Sequence, residues 1–356
     1  MRETENNPPE PRRIVALTRE HIGDLICTTP ALRALRARFP LAHIAVEVGE
    51  RAVCVLENNP SVDEIIVRPD HQGLRGKARF IRLLRQRKFD LAVILDNSAD
   101  MILYTWLGGV PRRAGLVYRK KFANLLTDSV AFDRQAHEMV DNFRNVVALL
   151  GGDVSNAETE VFPSQEDEDF VAALFEGEGI RSGADVIALN PGASAPSNRW
   201  LPERFAELAD CLMARPNTRV LLLGGPGDLE LSATICRKLE TAPLVLTGKL
   251  TLLQLAETLR RCDLLVTGDT GPMHLAVAMK TPALVLFGPA VPQESGPGYA
   301  PGHEIIRKVS GCPQCTKYLC RANRDCMRKI TASEVAAAVE TTLAARRSSL
   351  VLTESR

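Results

Sequence analysis

Residues 264–289 read LLVTGDTGPMHLAVAMKTPALVLFGP, and this run confines the chain to few folds. Leu264, Leu265 and Val266 form a short apolar strand, after which Thr267, Gly268, Asp269, Thr270 and Gly271 bring polarity and glycine together. Pro272 follows, His274 opens an apolar helix ending near Lys280, and Ala283–Phe287 is a second apolar strand closed by Gly288 and Pro289. Strand, helix and strand in so short a span imply a parallel sheet buried on both faces. Ligands of such sheets bind beyond the C-terminal strand ends, where loops supply donors and the next helix presents unpaired N–H groups. Thr270 and Gly271 offer a hydroxyl and close backbone approach to a phosphate, with His274 on the first helical turn. The plainer alternative is a helix capped by Asp269 or Thr270.

The same alternation runs through the rest of the chain. Strands are expected at Ile14–Leu17, His43–Val48, Glu64–Val67 and Leu91–Leu95, and helices at Leu25–Phe39, Arg79–Arg87 and His137–Leu150. After a polar, turn-rich stretch, an exposed acidic helix spans residues 165–179 and the pattern restarts. Strands are expected at Val186–Leu189, Val220–Leu223 and Leu244–Leu246, with helices at Pro202–Met213, Leu229–Leu239, Thr251–Arg260 and Ser333–Ala345. This is βαβ arithmetic performed twice. It predicts an α/β chain of two Rossmann-like domains, residues 12–165 and 180–330, followed by a C-terminal helix at 331–350. The parallel sheets are expected to face one another across a cleft. A chain of 356 residues is also longer than one core usually serves.

Charged residues are 24% of the chain and hydrophobic ones 45%, which excludes a disordered or fibrous protein. The net charge of +1 hides local asymmetry: residues 75–88 hold seven basic side chains and no acidic one, and residues 112–121 hold five more. Interleaved aromatics are scarce, which argues against a nucleic-acid surface. The first thirteen residues lack a signal peptide's apolar core and read as a disordered lead-in, and no apolar run is long enough to span a bilayer. A cytoplasmic protein is expected. Of nine cysteines, Cys27, Cys54, Cys211, Cys236 and Cys262 read as small core fillers, whereas Cys312, Cys315, Cys320 and Cys326 cluster. Four thiolates suit zinc or iron; a disulfide pair or four free thiols are the alternatives, a disulfide being disfavoured in a reducing compartment.

Several loops carry chemistry-bearing residues. Gly23 and Asp24 follow the first strand, with Thr28 one turn on. Asp24 is placed either to deprotonate a hydroxyl nucleophile or merely to cap its helix. No G-x-G-x-x-G follows Leu17, so a dinucleotide fingerprint is absent. Gly192, Ala193 and Ser194 follow a strand directly, so their N–H groups suit phosphate. Arg199 would add charge-assisted bonds or else face solvent, and Trp200 and Phe205 read as packing residues. Asp228 or Glu230 suits ribose hydroxyls, or simply the first turn of its helix. Leu250 could touch a base and Lys249 a polar edge.

Assembled, the segments REHIGDLICTTPALRAL (19–35), NPGASAPSNRW (190–200), LLLGGPGD (221–228) and VTGDTGPMHLAVAMKTPALVLFGP (266–289) resemble glycosyltransferase family 9, the bacterial lipopolysaccharide heptosyltransferases. The resemblance covers roughly residues 12–345 and implies the B-type glycosyltransferase fold, donor held by the C-terminal domain and acceptor by the N-terminal one. It implies transfer of a heptose from an ADP-linked donor to the lipopolysaccharide inner core. Asp24 matches the family's catalytic base and Gly23 its companion. Asp269, Thr270, Gly271 and His274 match its diphosphate- and sugar-binding motif. Asp228 falls at a ribose-binding position and Leu250 near an adenine-contacting one. One departure stands out: where members have a lysine two residues before the tryptophan, this chain has Asn198, with Arg199 beside it.

The implied reaction is a single inverting displacement, Asp24 taking a proton from the acceptor hydroxyl while Thr270, Gly271 and the following helix offset charge on the departing ADP. Gly192, Ser194, Asn198, Arg199, Asp228 and Leu250 complete the expected donor site. Gly23, Thr28, Arg79, Arg82, Arg112, Arg119 and Lys120 are the expected acceptor contacts, because inner-core acceptors are anionic. The same basic residues could draw the protein to the inner membrane face. No cofactor is required by this chemistry, and zinc or iron at the four cysteines would be structural; some relatives that modify proteins hold iron in a cysteine finger. Alternatives are a protein acceptor, another nucleotide sugar, a nucleotide-sugar-binding protein without turnover, or an epimerase of similar architecture.

Overall fold

The computed structural model describes residues 10–68, 73–118, 120–133, 136, 139–193, 195–308, 320 and 324–354, with side chains described through residue 348. The chain divides between Thr159 and Glu160 into two units. The first holds β1 (Arg13–Leu17), α1 (Ile22–Arg38), β2 (His43–Val48), β3 (Glu64–Val67), α2 (Gly73–Arg87), β4 (Leu91–Ile94), α3 (Ala99–Leu107), β5 (Arg112–Val117), β6 (Asp128–Ala131) and α4 (Val140–Ala148). The second opens with α5 (Gln165–Gly177), β7 (Asp185–Asn190), α6 (Pro202–Met213), β8 (Thr218–Leu222), α7 (Leu229–Cys236), β9 (Leu244–Val245) and α8 (Leu252–Arg260). It closes with β10 (Leu264–Gly268), α9 (Gly271–Ala278), β11 (Ala283–Phe287), α10 (Pro292–Ser295), β12 (His303–Arg307), α11 (Asp325–Arg328) and α12 (Ala332–Glu354).

Each unit carries one six-stranded sheet, ordered β3-β2-β1-β4-β5-β6 and β12-β11-β10-β7-β8-β9, and all the pairings are parallel. Read from the opposite edge, the second order repeats the first. Both are doubly wound Rossmann arrangements, in which the chain reverses direction beside the first strand. That reversal opens a crevice beyond the C-terminal ends of β1 and β4 in one unit, and of β7 and β10 in the other. Leu17 pairs with Ile94 and Asn190 with Thr267 at those ends. The residues that follow these four therefore line the two crevices.

Interior strands are apolar because both faces are covered: β4 and β11 are buried at every position. The strands β5, β6 and β12 escape that signal. β5 opens on two arginines, and β6, DSVA, is a half-exposed edge strand. Helix α1 starts at Ile22, three residues before the expected Leu25, and continues through Pro30. Pro30 has no N–H for the Ile26 carbonyl, and the Thr29 hydroxyl donates to that oxygen instead, at 2.8 Å. On α2, Phe80 and Leu84 point inward and Phe80 meets Tyr104 of α3 edge-on, centroids 6.1 Å apart. Burying those two side chains contributes about 2–3 kcal/mol each and turns Arg75, Arg79 and Arg82 outward. In the second unit Val335, Val339 and Leu343 of α12 enter the same core as β7, β10 and β11. Among the described residues no helix is long and apolar enough to cross a membrane.

Candidate active site

At the first crevice, β1 runs into residues 18–21 and then α1, whose first turn carries Gly23 and Asp24. Asp24 does not cap the helix. His21 occupies that position without a side-chain cap, and the Asp24 carboxylate lies 3.0 Å from Arg19 Nε, its side chain 17% exposed. Asp96 follows β4 and sits almost buried nearby, accepting from Ser98 N at 2.6 Å. Burial pushes its pKa above the usual carboxylate range; the Ser98 N–H and the charges of Arg68 and Arg19 pull it down, while Asp24 pushes it up. A buried guanidinium, Arg68, joins this group by gripping Glu47 with two nitrogens. Burial works against its charge, but Glu47, Asp96 and Glu20 hold its pKa above the ordinary arginine value. Glu47, Arg68 and Asp96 carried no sequence signal, since each is an isolated charge in or just after a strand.

Two expected acceptor contacts are corrected here. Thr28 is fully buried, and its hydroxyl donates to the Leu25 carbonyl at 2.6 Å, so it presents nothing to a ligand. Arg112 begins β5 opposite Leu91, at the N-terminal edge of the sheet, away from the crevice. There the Asp128 carboxylate of the neighbouring strand accepts from both its Nε and Nη2, at 3.1 and 2.9 Å. That pairing raises the Arg112 pKa and lowers that of Asp128. Arg79 and Arg82 are exposed on α2, about 9 and 14 Å along its axis from Gly73. Lys120 is exposed beyond the C-terminal end of β5, and Arg119 lies outside the described residues.

The second crevice gathers more of the expected set. Asn190, the last residue of β7, donates to Thr267 Oγ1 at 2.9 Å and reaches Thr270 Oγ1 at 3.4 Å; the two threonine hydroxyls are 3.1 Å apart. Thr270 is the N-cap of α9, but its hydroxyl is committed to this trio and caps nothing. The α9 dipole thus meets the crevice without a side chain of its own over it, which suits an anion. Asp269 accepts from Asn198 Nδ2 at 3.4 Å and Ser295 Oγ at 3.1 Å. His274, 4% exposed, lies within 3.2 Å of the Tyr299 hydroxyl through Nδ1.

The loop after β7 is held from behind. Trp200 is buried, packs edge-on against Phe205 and donates to the Ile330 carbonyl at 3.1 Å. Arg199 turns back on its own loop, Nε to the Ala193 carbonyl at 2.9 Å. Gly192 abuts Asp228: a Cβ there would stand 2.5 Å from Asp228 Oδ2. Asp228 also accepts from Gly225 N at 3.1 Å, so one carboxylate ties the loops after β7 and β8. Leu250 is half-buried after β9, and Ser194 lies outside the described residues. Ser295 and Tyr299 went unnoticed because they fall in a glycine- and proline-rich stretch without period.

The second crevice, an open helix terminus ringed by hydroxyls, acid and imidazole, suits an anionic group. The sequence model of glycosyltransferase family 9 (heptosyltransferase) matches residues 77–324. The chain belongs to glycosyltransferase family 9. Lipopolysaccharide heptosyltransferase 2 of Escherichia coli K12 is 28% identical over 315 residues, 84% of this chain and 89% of that protein. The crystal structure of the family 9 glycosyl transferase from Veillonella parvula DSM 2008 is 30% identical, with a TM-score of 0.80 over 93% of this chain and 97% of that one. E. coli ADP-heptose lps heptosyltransferase II, 24% identical, shares the fold at a TM-score of 0.76 over 94% and 99% of the two chains. The two Rossmann-like sheets of this family 9 enzyme are thus those of the B-type glycosyltransferase fold.

The cysteine cluster of this glycosyltransferase is half described. Arg324 N donates to Cys320 Sγ at 3.0 Å, Cys326 packs half-buried on the second unit's core, and Cys312 and Cys315 lie outside the described residues. Among the described residues no group of three or more His, Cys, Asp and Glu side chains is arranged to hold a metal.

Proposed function

We propose that this enzyme transfers a heptose from ADP-heptose to an anionic sugar of the lipopolysaccharide inner core, by a single inverting displacement. The observation that carries the reading is the paired chemistry of the two crevices: Asp24 at the first, the α9 terminus with Thr270, Gly271 and His274 at the second. Asp24 accepts the proton of the acceptor hydroxyl as its oxygen attacks the anomeric carbon of the donor. The bond to the diphosphate breaks, and the charge arriving on ADP meets the α9 N–H groups and His274. Asp228 receives ribose hydroxyls and Leu250 contacts the base. No step uses a metal; zinc or iron held by the four cysteines would be structural.

The acceptor's negative charge suits Lys120 and the outward stripe of Arg75, Arg79 and Arg82, which make no ion pair among the described residues. On this reading the same stripe holds the enzyme peripherally at the anionic inner face of the cytoplasmic membrane.

The test is a mass-spectrometric screen of nucleotide sugars against truncated lipopolysaccharide cores and candidate proteins. Transfer from ADP-heptose to a core fragment is expected. Transfer from a UDP- or GDP-linked hexose alone would replace the donor assignment. Asp24→Ala is expected to keep donor affinity within a few-fold and to lower transfer by about 10²–10⁴.

A further inference from the structure

We propose that Arg68 is a positioning residue for catalysis: it fixes the β1–α1 connection from which Asp24 is presented. Arg68 follows β3, and its side chain is 6% exposed. Its guanidinium donates to the Thr18 carbonyl, meets Glu20 Oε1 at 3.0 Å, grips both oxygens of Glu47 and approaches Asp96 at 3.9 Å. One side chain thereby joins the connection after β1 to the ends of β2 and β4. The neighbouring backbone tightens the same loop. Thr18 donates to the Glu47 carbonyl through N and Oγ1, at 3.3 and 2.7 Å. Gly49 presses so closely on Glu20 that a Cβ would come within 3.1 Å of its backbone. His21 is then the N-cap of α1, with Leu25 N donating to its carbonyl at 3.0 Å. Any shift of residues 18–21 therefore moves the turn that carries Asp24.

Stability alone does not account for this arrangement. A buried ion pair is commonly no more stabilising than an apolar pair of the same volume. An apolar pair could hold β2 and β3 together as well, but it could not hold the Thr18 carbonyl and the Glu20 carboxylate. Lysine would not replace arginine either, because the four contacts need the planar fork. Displacing a catalytic group by about 1 Å can cost about 10²-fold in rate.

The inference rests on Asp24 as the base, and the two fail separately. Full turnover in Asp24→Ala removes that assignment, whereas the following test compares transfer rates for whichever sugar the wild-type enzyme moves. Arg68→Met alone takes the guanidinium away from the buried Glu47 carboxylate and is expected to lower Tm. Adding Glu47→Met removes that buried charge as well and should return Tm to within about 3 °C of wild type. That double variant should bind ADP within about threefold of wild type, yet transfer at less than about a tenth of its kcat. A double variant that melts like wild type and keeps more than about a tenth of its kcat overturns the proposal. Should the double variant not fold, Arg68→Lys decides by the same threshold, with Tm and donor KM measured alongside.

Discussion

Tyr299 lies parallel to His274, ring centroids 6.3 Å apart, with its hydroxyl 3.2 Å from Nδ1. The phenol comes from the segment after α10 and the imidazole from the first turn of α9, so the contact braces the crevice from outside the motif. With Nδ1 held by Tyr299, contact with a donor phosphate falls to Nε2. Tyr299→Phe keeps the stacked ring and removes only the hydroxyl. We expect the Kd for ADP to rise about three- to tenfold, the equivalent of about one hydrogen bond, with Tm nearly unchanged. Calorimetry giving wild-type affinity would show that the imidazole needs no such brace.

Gly192 and Asp228 supply a second case. With a Cβ 2.5 Å from Asp228 Oδ2, Gly192→Ala forces the carboxylate out of its place. Asp228 also accepts from Gly225 N within its own loop after β8, so the displacement spreads from the loop after β7 to that one. Gly192→Ala and Asp228→Ala are each expected to weaken ADP binding about tenfold, and the double variant no more than the worse single one, because both act through one carboxylate. Additive losses would mean that Gly192 serves the donor directly.

The same residues show what a sequence of this kind discloses. Interior parallel strands announce themselves because both faces are covered, so the runs at Leu91 and Ala283 stand out without any partner being known. The strand–loop–helix order then places Asp24, Asn198, Asp269 and His274 at strand ends. The edge strand β6 lacks that signal, and β5 beside it opens on two arginines, which is why Arg112 read as part of a basic surface. Its partner, Asp128, is sixteen residues away on a strand too polar to notice. Thr28 failed for another reason: a threonine hydroxyl inside a helix is drawn to the helix's own carbonyls, here that of Leu25. Tyr299, Ser295 and Arg68 reach the crevices only through tertiary contact, which local pattern does not encode.

His303 sets an acid limit on the second unit. It begins β12 opposite Ala283, and its Nδ1 accepts the Ala283 N–H at 3.2 Å, so the ring must be neutral at that nitrogen. Burial pushes its pKa down from 6.5 to about 4. Between those values the unfolded chain binds a proton that the folded chain refuses, so stability rises with pH across the window. The His303 contribution is complete above about pH 6.5 and is lost as pH falls towards 4, by at most about 2–3 kcal/mol for a ring that keeps some solvent contact. His303→Asn retains an acceptor for the Ala283 N–H but cannot be protonated. Urea titrations at pH 7.5, 6, 5 and 4 should show the wild-type midpoint falling more steeply than that of the variant, and the two curves drawing level or crossing at the acid end. Parallel curves over the whole range would assign the acid sensitivity to the carboxylates instead.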